Sequence, residues 1–360
     1  MPRLIMRTFI AYPSLQRITG GMAVLARMAV HLAEAGHETL LVPREHSPAV
    51  LAPLEAAIQG RAPLVPWEDA RPGHQDIWLA PEGWPALLLP GLRHQARTVI
   101  YVQNWAYLLA SLPPEPADLP VRLLAVSQPV AWHAAACLGI ESPILRPGID
   151  LRCFYPAQAD AGGAARLAPG EAVRIAWMPR KNKALAGQIQ DMFQARQRRA
   201  GGDPPAVWLA IHNRSRDEVA GMLRSCHIFL ATGFPEGCPL PPLEAMASGC
   251  LVVGFGGFGG WDYMRQAWPQ GMRPWWPLRP EAETPWAGNG LYAQDADTIA
   301  AALALEYAVD LLRRGGEELA GIRAAALATA AAYGNERHRE QLLDLWAQAA
   351  ANVALQPFLG

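Results

Sequence analysis

Two carboxylates and a loop built to change direction form the first stretch of chemical interest: Glu236-Gly237-Cys238-Pro239-Leu240-Pro241-Pro242-Leu243-Glu244, followed by Ala245-Met246-Ala247-Ser248-Gly249. The apolar run His227–Ala231 before it predicts a strand. Pro241-Pro242 predicts the start of a short helix reaching Ser248, because a proline in a first turn lacks only an N–H that the helix would leave unpaired anyway. A strand feeding a helix N-terminus at the carboxyl edge of a sheet collects unpaired N–H groups and the positive end of the helix dipole, an environment that attracts phosphate. Glu244, inside the helix, would repel phosphate but can accept hydrogen bonds from a ribose diol. Glu236, ahead of the helix, can do the same for sugar hydroxyls. Taken singly, either glutamate is as well explained by the helix dipole and an ordinary turn.

A second loop carries cations. Ile175-Ala176-Trp177-Met178-Pro179-Arg180-Lys181-Asn182-Lys183 reads as a strand, Val173–Met178, ending in a basic loop before a helix over Leu185–Arg199. Two guanidinium or ammonium groups at such a point can neutralise a diphosphate leaving group.

Taken together, two glutamates with seven residues between them, flanked by G-x-P-L-P and E-A-M-A-x-G, resemble the E-x7-E element of the retaining family 4 glycosyltransferases. The resemblance implies an α/β protein of the GT-B type, two Rossmann-like domains whose parallel sheets face an interdomain cleft. It implies that Glu244 binds the ribose of a nucleotide, that Glu236 contacts the transferred sugar, and that the Gly237, Cys238, Pro239 and Leu240 backbone faces sugar and diphosphate. The family carries an Arg and a Lys in the basic loop, roles that fall to Arg180 and Lys183; the loop is shorter than the common family form, so Lys181 competes with Lys183. Ile18-Thr19-Gly20-Gly21 is similar to the family's glycine loop, where backbone N–H groups approach donor phosphate or acceptor. Further landmarks fall in family order: Val102-Gln103-Asn104-Trp105, Ala125-Val126-Ser127, and Arg146-Pro147-Gly148-Ile149-Asp150 with Phe154 and Pro156. Where many relatives have a histidine near the reacting sugar, this chain has Gln103-Asn104, which become the candidate acceptor or sugar contacts.

The implied reaction moves a sugar from a UDP-, GDP- or dTDP-linked donor to a carbohydrate or lipid-linked hydroxyl acceptor with retention, in polysaccharide or envelope glycan assembly. The nucleotide sugar is a substrate, and neither cofactor nor metal is expected. The missing histidine motivates an alternative, a nucleotide-sugar-binding protein without catalysis; a hydrolysing nucleotide-sugar epimerase of the same architecture is another.

Gly254-Phe255-Gly256-Gly257-Phe258-Gly259 satisfies the dinucleotide pattern G-x-G-x-x-G, yet only a short helix at best, Trp261–Gln266, follows before Pro269 and Pro274, so the βαβ context is missing. Asp262 is offered for the acid that the family has near here. Asp295-Ala296-Asp297 looks like a metal-binding D-x-D but precedes Thr298 and a helix, where N-capping is the simpler role. His212-Asn213-Arg214 follows a strand and suits a nucleobase border or a solvated loop equally. Of thirteen tryptophans, Trp105, Trp261, Trp275 and Trp276 are candidate sugar platforms.

The elements that must position these residues alternate twice. Leu4–Tyr12, Met22–Ala35 and Glu38–Val42 read as strand, helix and strand, with Gly20-Gly21 before the helix and Gly36 as its C-cap. Apolar runs recur at Asp76–Ala80, Thr98–Val102, Arg122–Val126 and Pro143–Leu145. Residues Ala157–Glu171 lose apolar periodicity and form the expected linker. The second half continues with strand Ala206–Ile211, helix Asp217–Ser225 and strand Cys250–Phe255, and the chain closes with a helix over about Glu336–Ala354. The expected division is an N-terminal acceptor domain over 1–160, a donor domain over 170–335, and a terminal helix over 336–360 returning to the first.

Bulk properties agree with this division. The 360 residues, 51% of them hydrophobic and 18% charged, are enough for two buried cores. Thirty-one basic against thirty-two acidic side chains give a net charge of -1, which disfavours nucleic acid as a partner. Five scattered cysteines form no metal-ligand or disulfide pattern, and no apolar run is long enough for a membrane span. A cytoplasmic protein is expected, with peripheral contact at the inner membrane face left open.

Overall fold

Five apolar runs of the N-terminal half become parallel strands: β1 (Thr8–Tyr12), β2 (Thr39–Pro43), β3 (Ile77–Pro81), β4 (Arg97–Val102) and β5 (Val121–Ala125). Between them lie α1 (Gly20–Glu34), α2 (Pro48–Ile58), α3 (Leu89–Arg93), α4 (Trp105–Leu108) and, after β5, α5 (Gln128–Leu138). The second half has β6 (Arg174–Trp177), α6 (Lys183–Ala200), β7 (Val207–Ala210), α7 (Arg216–Arg224), β8 (Ile228–Ala231), α8 (Leu240–Ala247), β9 (Leu251–Phe255), β10 (Leu291–Ala293), α9 (Thr298–Arg314) and α10 (Glu317–Ala332), and α11 (Asn335–Ala350) closes the chain. These assignments come from a computed structural model that describes residues 6–15, 20–112, 119–157, 167–201, 204–267 and 283–351. Residues 18–19 of the glycine loop, most of the expected linker, and Trp275 and Trp276 lie outside the described residues.

Contacts divide the chain into two units, Met1–Gly148 with Glu336–Gly360, and Ile149–Asn335. Each holds one five-stranded parallel sheet, ordered β2-β1-β3-β4-β5 in the first and β10-β9-β8-β6-β7 in the second. In both sheets the chain builds outward from its first strand in one direction and then in the other. The reversal lies between β1 and β3, and between β6 and β8. Loops leaving the carboxyl ends of such a pair diverge to opposite faces and leave a crevice there.

The strands of a sheet covered on both faces must be apolar throughout. Accordingly β1, β3, β8 and β9 are buried at every position. One face of the second sheet packs on α6 and α9 through Ile189, Phe193, Leu305 and Leu312; the other packs on α7, α8 and α10 through Leu223, Leu243, Met246 and Ala326. Local chemistry fixes the helix ends. Ser215 and Glu218 form a capping box on α7, Asp297 accepts the Ala300 N–H to start α9, and Gly36 and Gly139 take left-handed conformations just beyond α1 and α5.

Two expectations change. Gly20 and Gly21 are the first residues of α1 and do not precede it. Pro143–Leu145 makes only an isolated bridge, Ala125 to Ile144, because Pro143 has no N–H for a ladder. The Ala-rich helix α10 carries so weak an amphipathic stripe that its sequence offers little period to read. Among the described residues no helix is long and apolar enough to cross a membrane.

Helix α11 belongs to the first unit. Trp346 Nε1 donates to Thr8 Oγ1 at 2.8 Å, and Arg97 donates to the Ala349 carbonyl at 2.9 Å. His338 Nδ1 donates to the Arg146 carbonyl at 2.7 Å, and its ring stands 5.8 Å from that of His31 on α1. Burial holds both imidazoles down to about 4, with Arg27 lowering them further. A depressed histidine pKa means that the unfolded chain takes up protons first. The stability these two groups contribute is therefore complete above about pH 6.5 and is lost progressively as pH falls toward 4. Melting temperatures between pH 7.5 and 4.5 should fall, and His31→Phe, which keeps the ring and removes nitrogens that have no hydrogen-bond partner among the described residues, should flatten that slope. An unchanged slope in the variant would rule out the histidine as its origin.

Candidate functional site

The carboxyl edge of the second sheet gathers the loops after β6, β8 and β9. The loop after β6 turns at Asn182, whose left-handed conformation (φ 60°) is one that asparagine tolerates better than most side chains. Its amide donates to the carbonyls of Thr232 at 2.9 Å and Phe234 at 3.0 Å, while Thr232 Oγ1 donates to the Lys181 carbonyl. These bonds tie the basic loop to the loop after β8 and lay Lys181 Nζ on Glu236 Oε1 as a hydrogen-bonded ion pair. A pocket at this point is lined by Met178, Lys181, Thr232, Gly233, Glu236 and Pro239.

Beneath Glu236, the loop after β9 acts as a support. The Glu236 N–H donates to the Gly257 carbonyl at 2.9 Å, and the Gly259 N–H donates to the Glu236 carbonyl at 3.0 Å. Phe258 between them has φ 70°, an unfavourable conformation for a bulky side chain that persists only when its surroundings fix it. Asp295 supplies part of that fixing by accepting the Gly257 N–H at 2.7 Å. Burial pushes the Asp295 carboxyl above its ordinary range, opposed by the N–H groups of Gly257 and Phe258. The approach is close enough that a Cβ on Gly259 would lie 1.9 Å from the Gly237 carbonyl oxygen. Here, then, the glycine-rich run braces the loop that carries Glu236. It is followed only by a one-turn 3-10 helix, Gly259–Asp262, which is not the long helix a dinucleotide fingerprint opens.

Gly237 and Pro239 are buried and Cys238 is half-buried; the Pro239 carbonyl accepts the Tyr263 hydroxyl at 2.6 Å, and Leu240 begins α8. Glu244 is half-buried in the second turn of α8. Arg180 and Lys183 are exposed, and Lys183 is the first residue of α6. That helix start has no acidic residue in its first turn and no side-chain cap, since Asn182 is engaged elsewhere. A cation at an uncapped helix N-terminus is electrostatically unfavourable unless an anion joins it. In the first unit Gly21, Gln103 and Asn104 come together, Gln103 Nε2 donating to the Gly21 carbonyl at 2.9 Å.

Several other sequence readings gain definite roles. Asp297 caps α9, and Asp295 is the loop support just described, so the D-x-D pair serves two structural ends. Asp262 is buried and accepts the Tyr333 hydroxyl at 2.6 Å, and Trp261 packs edge-on against Tyr292, so neither faces a ligand from solvent. Asn182, Thr232 and Asp295 were not assigned to the site by sequence; the left-handed turn and the cross-loop bonds that give them importance leave no local motif.

No family profile and no curated protein matches this sequence. Solved structures do match in fold. A glycosyltransferase from Rickettsia africae superposes with a TM-score of 0.68 at 14% identity over 96% of this chain and 99% of that one. HepE of Anabaena, solved with UDP and glucose, gives 0.61 at 14% identity over 95% and 100%. The lipopolysaccharide outer core galactosyltransferase WaaB gives 0.64 at 10% identity over 96% and 99%. With its two parallel five-stranded sheets, the chain has the two-domain, Rossmann-like GT-B fold.

Proposed function

We propose that the protein transfers a sugar from a nucleotide sugar to a hydroxyl acceptor, with retention of anomeric configuration, as a member of the family 4 group that its E-x7-E element resembles. The observation that carries this reading is the Lys181–Glu236 ion pair in a pocket at the reversal between β6 and β8, beside two helix N-termini without side-chain caps. Glucose and UDP in HepE, on the same fold, support a uridine-linked donor among the candidates.

In this reading the diphosphate sits at the α6 N-terminus, where Lys183 and Arg180 supply positive charge as the leaving group departs. Lys181 is engaged by Glu236, so it orients that carboxylate toward the sugar hydroxyls. Glu244 accepts hydrogen bonds from the ribose, and the Gly237–Leu240 backbone faces sugar and diphosphate. The acceptor hydroxyl attacks the anomeric carbon from the side of the departing group. Its proton passes to the leaving phosphate oxygen as the carbon–oxygen bond breaks, so Glu236 positions the sugar and forms no covalent intermediate. Gly20 and Gly21, with Gln103 and Asn104, serve the acceptor side.

A panel of nucleotide sugars tested by thermal shift identifies the donor, since a true ligand raises the melting temperature by mass action. With that donor, Glu244→Ala should raise the donor Kd about tenfold, the loss of hydrogen bonds to a charged group, at nearly unchanged turnover. Arg180→Ala should instead lower kcat by about a hundredfold with little change in donor Kd. Wild-type kinetics in both variants would refute the assignments, and donor consumption without any acceptor would favour the epimerase reading.

A further inference from the structure

The first sheet reverses between β1 and β3 just as the second does between β6 and β8, and a buried carboxylate stands at that reversal. Glu82, immediately after β3, is 8% exposed. Its two oxygens are used separately: Oε2 accepts the Gln103 N–H at 2.8 Å and Oε1 accepts the Asn104 N–H at 2.9 Å. The turn so held presents the Gln103 side chain to α1, where Nε2 donates to the Gly21 carbonyl. A Cβ at position 21 would stand 2.2 Å from Gln103 Oε1, so a larger residue there would displace the amide from this position. Glu82 thereby links three elements, β3, the turn after β4 and the start of α1, at one sheet edge. A charged carboxylate is a costly way to hold a buried turn when no cation among the described residues accompanies it, and such groups cluster where function requires them.

We propose that Glu82 is a positioning residue for the acceptor: it fixes the 103–104 turn so that the Gln103 amide, docked on Gly21, offers a preset hydrogen-bonding face to acceptor hydroxyls. The assignment rests on the transferase reading above. Burial raises the Glu82 carboxyl to about 7, opposed by the N–H groups of Gln103, Asn104 and Glu82 itself. Among the described residues no ionisable side chain takes part in that shift. The first turn of α1 contains no acid, and Tyr101 on β4 directs its hydroxyl to the Leu145 carbonyl at 2.8 Å. Above pH 7 both carboxylate oxygens accept. As pH falls through about 7, one oxygen gains a proton, becomes a donor facing an N–H, and releases its half of the turn.

The test is Glu82→Gln in the full chain, read in two ways. At pH 8, hydrogen exchange at amides 103 and 104 should be about tenfold faster in the variant than in the wild type, as expected for one lost charged hydrogen bond, and the gap should close at pH 6; equal exchange at pH 8 overturns the proposal. In transfer assays the acceptor KM should rise about tenfold at pH 8 with donor Kd unchanged, and its dependence on pH between 6 and 8 should vanish. A wild-type pH dependence in the variant, or an equal rise in donor Kd, also overturns it. If Glu82→Gln does not fold, Gln103→Ala leaves both Glu82 bonds in place and removes the amide; an unchanged acceptor KM in that variant is likewise fatal. A wild-type protein that turns over no nucleotide sugar defeats the transferase reading, whereas the exchange experiment still decides whether Glu82 holds the turn.

Discussion

Sugar transfer by a Glu236→Ala variant should be about a hundredfold slower than by the wild type, and adding Lys181→Ala should cost little more. The two side chains are 13% and 30% exposed and joined by a charge-assisted hydrogen bond, so neither is a freely solvated surface charge. Removing the carboxylate takes away the group proposed to hold the sugar hydroxyls, an interaction of the preorganised kind whose loss costs roughly 10²–10³ in rate. Removing the lysine alone leaves Glu236 mostly buried and without its cation, which disorders the same contact. Groups that act as a unit lose their joint contribution once, so the double variant should fall close to the worse single variant and well short of the product of the two losses. Steady-state kcat/KM on the four proteins of the cycle is the measurement. Multiplicative losses would mean that the ion pair is incidental and that Lys181 acts on the diphosphate independently, in the role proposed for Lys183.

Gly254→Ala should be strongly destabilising for the second unit. Its backbone has φ +127°, a region that L side chains rarely adopt, and the added Cβ would lie 2.0 Å from the Ala231 carbonyl oxygen in the neighbouring strand β8. Backbone strain and overpacking act together here, for a combined loss of roughly 3–5 kcal/mol. Both strands are buried at every position, so the clash has no solvent-facing direction in which to relax. Gly187→Ala is the matched control, because it sits inside α6 with nothing within 4 Å of the new atom. The control should be neutral or gain up to about 1 kcal/mol from helix propensity. Urea unfolding midpoints compare them directly, and a Gly254→Ala protein as stable as the control would refute the packing argument.

How far the sequence could be read follows from which information is local. The strand before Glu236 and the helix after it are punctuated by glycine and proline, and β8 and α8 lie within a few residues of the spans expected from that punctuation. The alternation that predicts two parallel sheets is equally local, because apolar runs and helical periods each occupy one stretch of chain. What the sequence withheld depends on distant partners. Lys181 and Lys183 are indistinguishable as residue types. They separate only because Asn182 turns left-handed and bonds to carbonyls some fifty residues along the chain, which turns one lysine toward Glu236 and leaves the other at a helix start. Glu82 is an isolated glutamate after an apolar run; its partnership with Gln103 and Asn104 follows from β3 lying beside β4, a fact of sheet order with no short motif to announce it.

Helix α11 is made after the whole Ile149–Asn335 unit, yet Leu342, Trp346 and Ala349 on it are buried in the unit whose strands are made before that one. The N-terminal sheet must therefore wait through synthesis of the whole Ile149–Asn335 unit before its final side chains arrive. During that interval the surface that receives the Trp346 indole is open to water and to other nascent chains, which makes this half of the molecule the one most dependent on protection while it is being made.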